Sequence, residues 1–129
     1  MRSLTLDNLN ITISCLHIFF QFKTRKIRSC VRSIEKTKSE YKSKKICFSQ
    51  TSKKVQKFYE LFGISSCLLN SLSLSYIAKK YGAKPMLKIG VRIDSKDELK
   101  SHSWVVIEGK KFFRPNNGEV FSEIIVFLK

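Results

Sequence analysis

Three stretches decide how this chain folds: residues 65–82 (SSCLLNSLSLSYIAKKYG), 85–93 (PMLKIGVRI) and 102–107 (HSWVVI). Ser65 or Ser66 is suited to cap a helix, because a short hydroxyl side chain accepts an N–H that the first turn leaves unpaired. The residues that follow predict an amphipathic helix over Cys67–Tyr81, with Leu68, Leu72, Tyr76 and Leu69, Ser73, Ile77 tracing its apolar faces. Gly82 closes it, since glycine takes the left-handed conformation that ends helices at little cost. Strands are expected over Pro85–Ile93, His102–Ile107, Lys111–Arg114 and Glu123–Phe127. A compact turn at Glu108-Gly109-Lys110 should join the second and third as a hairpin.

Upstream, Val55, Phe58, Tyr59 and Phe62 at helical spacing predict a helix running from Val55 to Gly63. Lys36–Lys54 is polar and weakly periodic and reads as a solvated loop. Asp7 is placed to cap a helix that continues through Phe22 into the basic stretch. The resulting order is helices, then a helix headed by Cys67, then an antiparallel sheet, which is an α+β class. Residues 1–54 form a basic helical N-terminal region and 55–129 the core, in one compact unit that suits a length of 129 residues.

The formal net charge is +15, and 14 Lys/Arg against 4 Asp/Glu fall in residues 1–60. Such a field attracts anionic partners: nucleic acid, a membrane surface or an acidic peptide. The run Lys23–Lys57 has few aromatic residues and no recognisable nucleic-acid motif, so no nucleic-acid partner is expected. It is read either as a solvated surface or as a contact for a protein partner or a peripheral membrane assembly. The four cysteines, Cys15, Cys30, Cys47 and Cys67, have neither zinc-knuckle nor CxxC spacing. Free thiols, and so a cytoplasmic setting, are expected, with no metal or cofactor. The apolar run Ile11–Phe22 is shorter than the roughly 20 residues that span a bilayer, and is expected to be a buried or interfacial helix rather than a signal peptide.

Two residues could carry chemistry together. Cys67 opens a helix, where the dipole and the unpaired N–H groups favour a thiolate and could hold an oxyanion. Taken alone, a cysteine on a helix is more often a small buried hydrophobe. His102 opens an apolar strand and stands two residues before Trp104, the single tryptophan. His17, inside the run ITISCLHIFF, reads as structural. Cys67 and His102 form a nucleophile–base pair only if the fold brings them together.

The stretch Cys67-Leu68-Leu69-Asn70-Ser71-Leu72-Ser73-Leu74, then Tyr81-Gly82-Ala83, then Leu87-Lys88-Ile89-Gly90-Val91-Arg92, then His102-Ser103-Trp104-Val105 resembles one family. It is similar to the transglutaminase-like leader peptidases of lasso-peptide biosynthesis, over roughly residues 55–112. The resemblance implies a papain-like core, with a catalytic-cysteine helix packed on an antiparallel sheet and helices in front. It implies that Cys67 attacks a peptide carbonyl, and that His102 accepts the thiol proton and returns it to the leaving amine. The substrate implied is a ribosomally made precursor peptide cut between leader and core. The implied partners are the precursor leader, a small leader-recognition protein and an ATP-dependent cyclase.

Two positions depart from the pattern: Val106 stands where the family has Glu, and Arg114 where it has the third catalytic residue, an Asp. Arginine has no acceptor for the imidazole N–H. Asn116 is taken as the substitute, with Asn117 beside it, and an ordinary Pro-Asn-Asn-Gly turn is the plain alternative for both. The missing Asp also motivates a rival reading, a weak or inactive module that binds the leader or the recognition protein without cutting.

Overall fold

A computed structural model describes the backbone at residues 2–24, 27–40, 46–93, 98–113 and 122–127, and side chains within 8–113 of that set. Four helices precede the sheet: α1 (Arg2–Thr24), α2 (Ile27–Glu35), α3 (Phe48–Leu61) and α4 (Cys67–Lys80). The strands are β1 (Met86–Ile93), β2 (Leu99–Ile107), β3 (Lys110–Phe112) and β4 (Ser122–Phe127). They form one antiparallel sheet in the order β3-β2-β1-β4. The α+β architecture expected from the sequence is therefore present.

The architecture turns on α4, which packs against α1, α2 and α3 on one side and β1 and β2 on the other. Toward the helices, Leu69, Leu72 and Ile77 are buried with Ile11, Cys15, Ile18, Ile34, Val55 and Tyr59. Toward the sheet, Leu74 and Ala78 meet Val105, Ile107 and Phe112. The alternation Ser71-Leu72-Ser73-Leu74-Ser75 has the period of a strand, yet it sits in a helix. A helix buried on all sides has no polar face to impose a period of 3.6, and small serines let its neighbours come close. Ser75 Oγ donates back to the Ser71 carbonyl at 2.8 Å, and Ser73 Oγ lies 2.6 Å from the Tyr59 hydroxyl. That hydroxyl donates to the Cys15 carbonyl at 3.2 Å, so one buried phenol ties α1, α3 and α4 together. Burial pushes the Cys15 thiol up to about 12, a shift that the Ser73 hydrogen bond partly offsets, so this cysteine is packing material rather than a nucleophile.

Helices α3 and α4 end in the same way. Gly63 (φ +68) and Gly82 (φ +82) follow their C-caps, and the next residue closes back by five positions: Ile64 N–H to Tyr59 O at 2.9 Å, Ala83 N–H to Ala78 O at 2.9 Å. Glu108 (φ 53) and Gly109 (φ 79) make the two-residue turn between β2 and β3, with Ile107 opposite Lys110.

Two expectations are corrected. Asp7 is not a cap, because α1 starts at Arg2 and Asp7 lies within it. The segment 48–54 is not loop but the first two turns of α3, with Thr51 buried and its hydroxyl donating to the Cys47 carbonyl at 2.9 Å. The polar composition there marks the exposed side of a helix whose buried side is carried by Thr51, Val55 and Tyr59. The run Ile11–Phe22 is a two-faced helix: Ile11, Cys15 and Ile18 are buried while Ile13, Leu16 and Phe20 are exposed. No helix among the described residues is long and apolar enough to cross a membrane.

His17 packs its ring on Tyr76, centroids 5.1 Å apart. Desolvation, and secondarily the Lys80 charge, hold its imidazole below the ordinary value. The unfolded chain therefore takes up this proton more readily than the folded one, and stability is lost as pH falls through about 6.5. His17→Gln is expected to flatten the acid side of a urea-midpoint profile below that pH. An unchanged slope would remove His17 as its source.

Candidate active site

Ser66 (φ −144, ψ 111) caps α4, its hydroxyl accepting the Leu69 N–H at 3.2 Å. The Ser66 carbonyl takes the Asn70 N–H at 3.1 Å. Cys67 is thus the first helical residue, half-buried and with a free thiol. Its own N–H and that of Leu68 are left without a partner inside the helix, as at any N-terminus. These are the groups that can stabilise charge building on an oxygen near the sulfur.

His102 is half-buried on β2, opposite Gly90 of β1. Its ring stacks on Trp104 two residues along (centroids 6.3 Å, planes 26° apart), and Trp104 is almost wholly buried. The imidazole Nε2 lies 2.6 Å from the Phe113 carbonyl oxygen. A carbonyl only accepts, so Nε2 carries the proton, and in the neutral ring Nδ1 is the nitrogen able to accept one. Main chain thus fixes the tautomer that leaves Nδ1 as the acceptor.

The residue that supplies this carbonyl has a backbone conformation to match. Phe113 has φ 61, in the left-handed region that bulky side chains avoid at a cost of about 1–2 kcal/mol. Its neighbour Phe112 anchors the hairpin end, 7% exposed and packed edge-on against Phe48 of α3 at 6.5 Å. With Phe112 fixed in the core, the chain turns sharply at Phe113.

Cys67, His102 and Phe113 line one cleft of about 690 Å³ between the start of α4, the face of α3 and the β2–β3 hairpin. Asn70 lines it too, and its Oδ1 is buried with no hydrogen-bond partner among the described residues. The remaining wall is polar and cationic, with Ser49, Ser52, Lys53, Gln56, Lys110 and Lys111 among its residues. Of the site residues expected from sequence, Cys67 and His102 are thus brought to the same cleft. Asn116, Asn117 and Arg114 lie outside the described residues. Among the described residues no cluster of His, Cys, Asp and Glu is arranged to hold a metal.

The sequence profile of the transglutaminase-like superfamily matches residues 48–126. The chain belongs to the transglutaminase-like superfamily. The match starts at the first residue of α3 and runs to within one residue of the end of β4, so it takes in all the elements that line the cleft. Among curated proteins and solved structures, none matches the chain. This superfamily includes cysteine proteases and transferases, whose shared chemistry is acyl transfer through a thiol.

Sequence reasoning missed Phe113, because a main-chain carbonyl leaves no side-chain signature. One hint was available: Phe112 and Phe113 are consecutive, and a regular strand would send them to opposite faces. Phe113→Pro, whose ring fixes φ near −65°, is expected to lower kcat roughly a hundredfold by removing the carbonyl from its pose. Phe113→Gly keeps the carbonyl and relieves the strain, and should retain activity. Nitrogen NMR of the His102 ring provides the direct check, with the Nε2–H tautomer expected in wild type and Phe113→Gly. A predominant Nδ1–H form in wild type would contradict the arrangement.

Proposed function

We propose that this member of the transglutaminase-like superfamily is a cysteine peptidase that removes the leader from a ribosomally synthesised precursor peptide, as in lasso-peptide maturation. The observation that carries the reading is the meeting of Cys67, at the head of α4, with His102, its Nε2 occupied by a carbonyl, in one open cleft. In the forward step His102 takes the Cys67 proton through Nδ1, and the sulfur attacks the scissile carbonyl. The oxyanion is met by the N–H groups at the start of α4. Collapse breaks the C–N bond as His102 gives its proton to the leaving amine. Water, deprotonated by the same imidazole, then releases the leader carboxylate and restores the thiol.

The motif run from Cys67 to Trp104 supports a precursor-peptide substrate by resemblance, and with it a leader-recognition protein and a cyclase as partners. Asn116 stays a candidate for a further hydrogen bond to the imidazole. The test is to incubate a lasso precursor peptide and its leader-recognition protein with wild type and with Cys67→Ala, reading masses. A single cut between leader and core by wild type alone is expected. Leader binding without any cut would instead favour the non-catalytic module.

A further inference from the structure

The cleft is unbalanced in charge. Three of its lining residues are lysines, Lys53, Lys110 and Lys111, and among the described lining residues there is no carboxylate. The N-terminus of α4 adds its own partial positive charge from the Cys67 side. Lys110 does not simply extend into water. Its Nζ donates to Ser49 Oγ on α3 at 2.8 Å and stands 5.8 Å from the Phe112 ring centroid, so the ammonium is held where α3 meets the hairpin.

We propose that this cationic wall selects an acidic segment of the peptide substrate, seated within about four residues of the bond that Cys67 attacks. The inference rests on the peptidase reading and adds the substrate's charge to it. Strand β3 and its continuation set the distance. Phe113, which holds His102, follows Lys111 by two residues and Lys110 by three, or roughly 7–10 Å along extended chain. An extended substrate rises about 3.3 Å per residue, so side chains two to four residues from the scissile bond come level with these lysines. Asn70 lines the cleft, and its Oδ1, which has no hydrogen-bond partner among the described residues, is an acceptor for a substrate backbone N–H. The cleft's phenylalanine rings disfavour a nucleic acid: Phe112 is buried and Phe113 half-buried, so among the described lining residues neither offers a fully exposed face for stacking bases.

The experiment measures binding apart from cleavage. A fluorescein-labelled peptide with Asp and Glu near its centre, its Asn/Gln-matched counterpart and a single-stranded oligonucleotide are titrated against Cys67→Ala by anisotropy. The acidic peptide should bind about tenfold more tightly than its amide match at ~20 mM salt, and the gap should close by ~300 mM. In the same background, Lys110→Gln with Lys111→Gln should shrink the preference. Lys110→Glu with Lys111→Glu should turn it toward a Lys-bearing peptide, provided circular dichroism shows both variants folded. Equal binding of acidic and amide peptides overturns the proposal, as does tighter binding of the oligonucleotide that is lost with the same lysines. Cleavage by the unmodified enzyme is read separately. Acid-selective binding with no cut of any peptide sinks the peptidase reading alone, whereas cutting indifferent to charge sinks the selectivity alone.

Discussion

Cys67→Ala is expected to lower kcat/KM on the precursor peptide by roughly 10⁴- to 10⁶-fold, and His102→Ala to do nearly the same. The double variant should be little worse than either single one, because nucleophile and base act in one step and the second loss removes nothing that still functions. Stability should barely move with Cys67→Ala. The thiol is half-buried, Ser66 rather than Cys67 caps α4, and alanine is the best helix former. A residual rate within tenfold of wild type in Cys67→Ala would remove the thiol from the mechanism. Additive losses in the double variant would mean that the two residues serve separate steps.

Leu72→Ala should be the most damaging simple truncation in the helix that carries the nucleophile. Leu72 is fully buried on α4, within the cluster that includes Ile18, Ile34 and Tyr59. The expected cost is about 2–5 kcal/mol, from lost apolar transfer and the cavity left behind. For a chain of this size that is a fall in Tm of roughly 10 °C or more. Leu68→Ala, one turn earlier and only half-buried, should cost less than half as much. Thermal unfolding of the two variants separates the cases. Equal costs would mean that depth of burial in this cluster does not set what each leucine contributes to α4.

Helix α4 was legible because its boundary signals are local. Ser66 caps, Gly82 terminates, and nothing between them breaks a helix. The β2–β3 hairpin was legible for the same reason, since Glu108-Gly109 is a turn written into two residues. The start of α3 was not, because residues 48–54 carry only Phe48 and Thr51 toward the core and the other five are polar and exposed or half-buried. A helix that shows so little of its apolar side for two turns reads as loop until its packing partners, Phe112 among them, are known. Cys67 and His102 could be picked out by residue type and by the motif run, but their shared cleft depends on how α4 crosses the sheet, a tertiary fact. The orientation of His102 was the least legible of all. Side-chain reasoning looked for a carboxylate or amide at 114–117, whereas the described hydrogen bond goes to the main chain of Phe113.

If Cys67 forms an acyl intermediate with the help of His102, that intermediate can be trapped on the protein itself. The enzyme is mixed with a thioester of a short leader-like peptide, quenched with acid at early times, digested and analysed by mass spectrometry. The expected result is the acyl mass on the Cys67 peptide, decaying as free acid appears, and absent from Cys67→Ala and His102→Ala. Labelling of the exposed Cys47 instead, or equal labelling of Cys67 with and without His102, would contradict it.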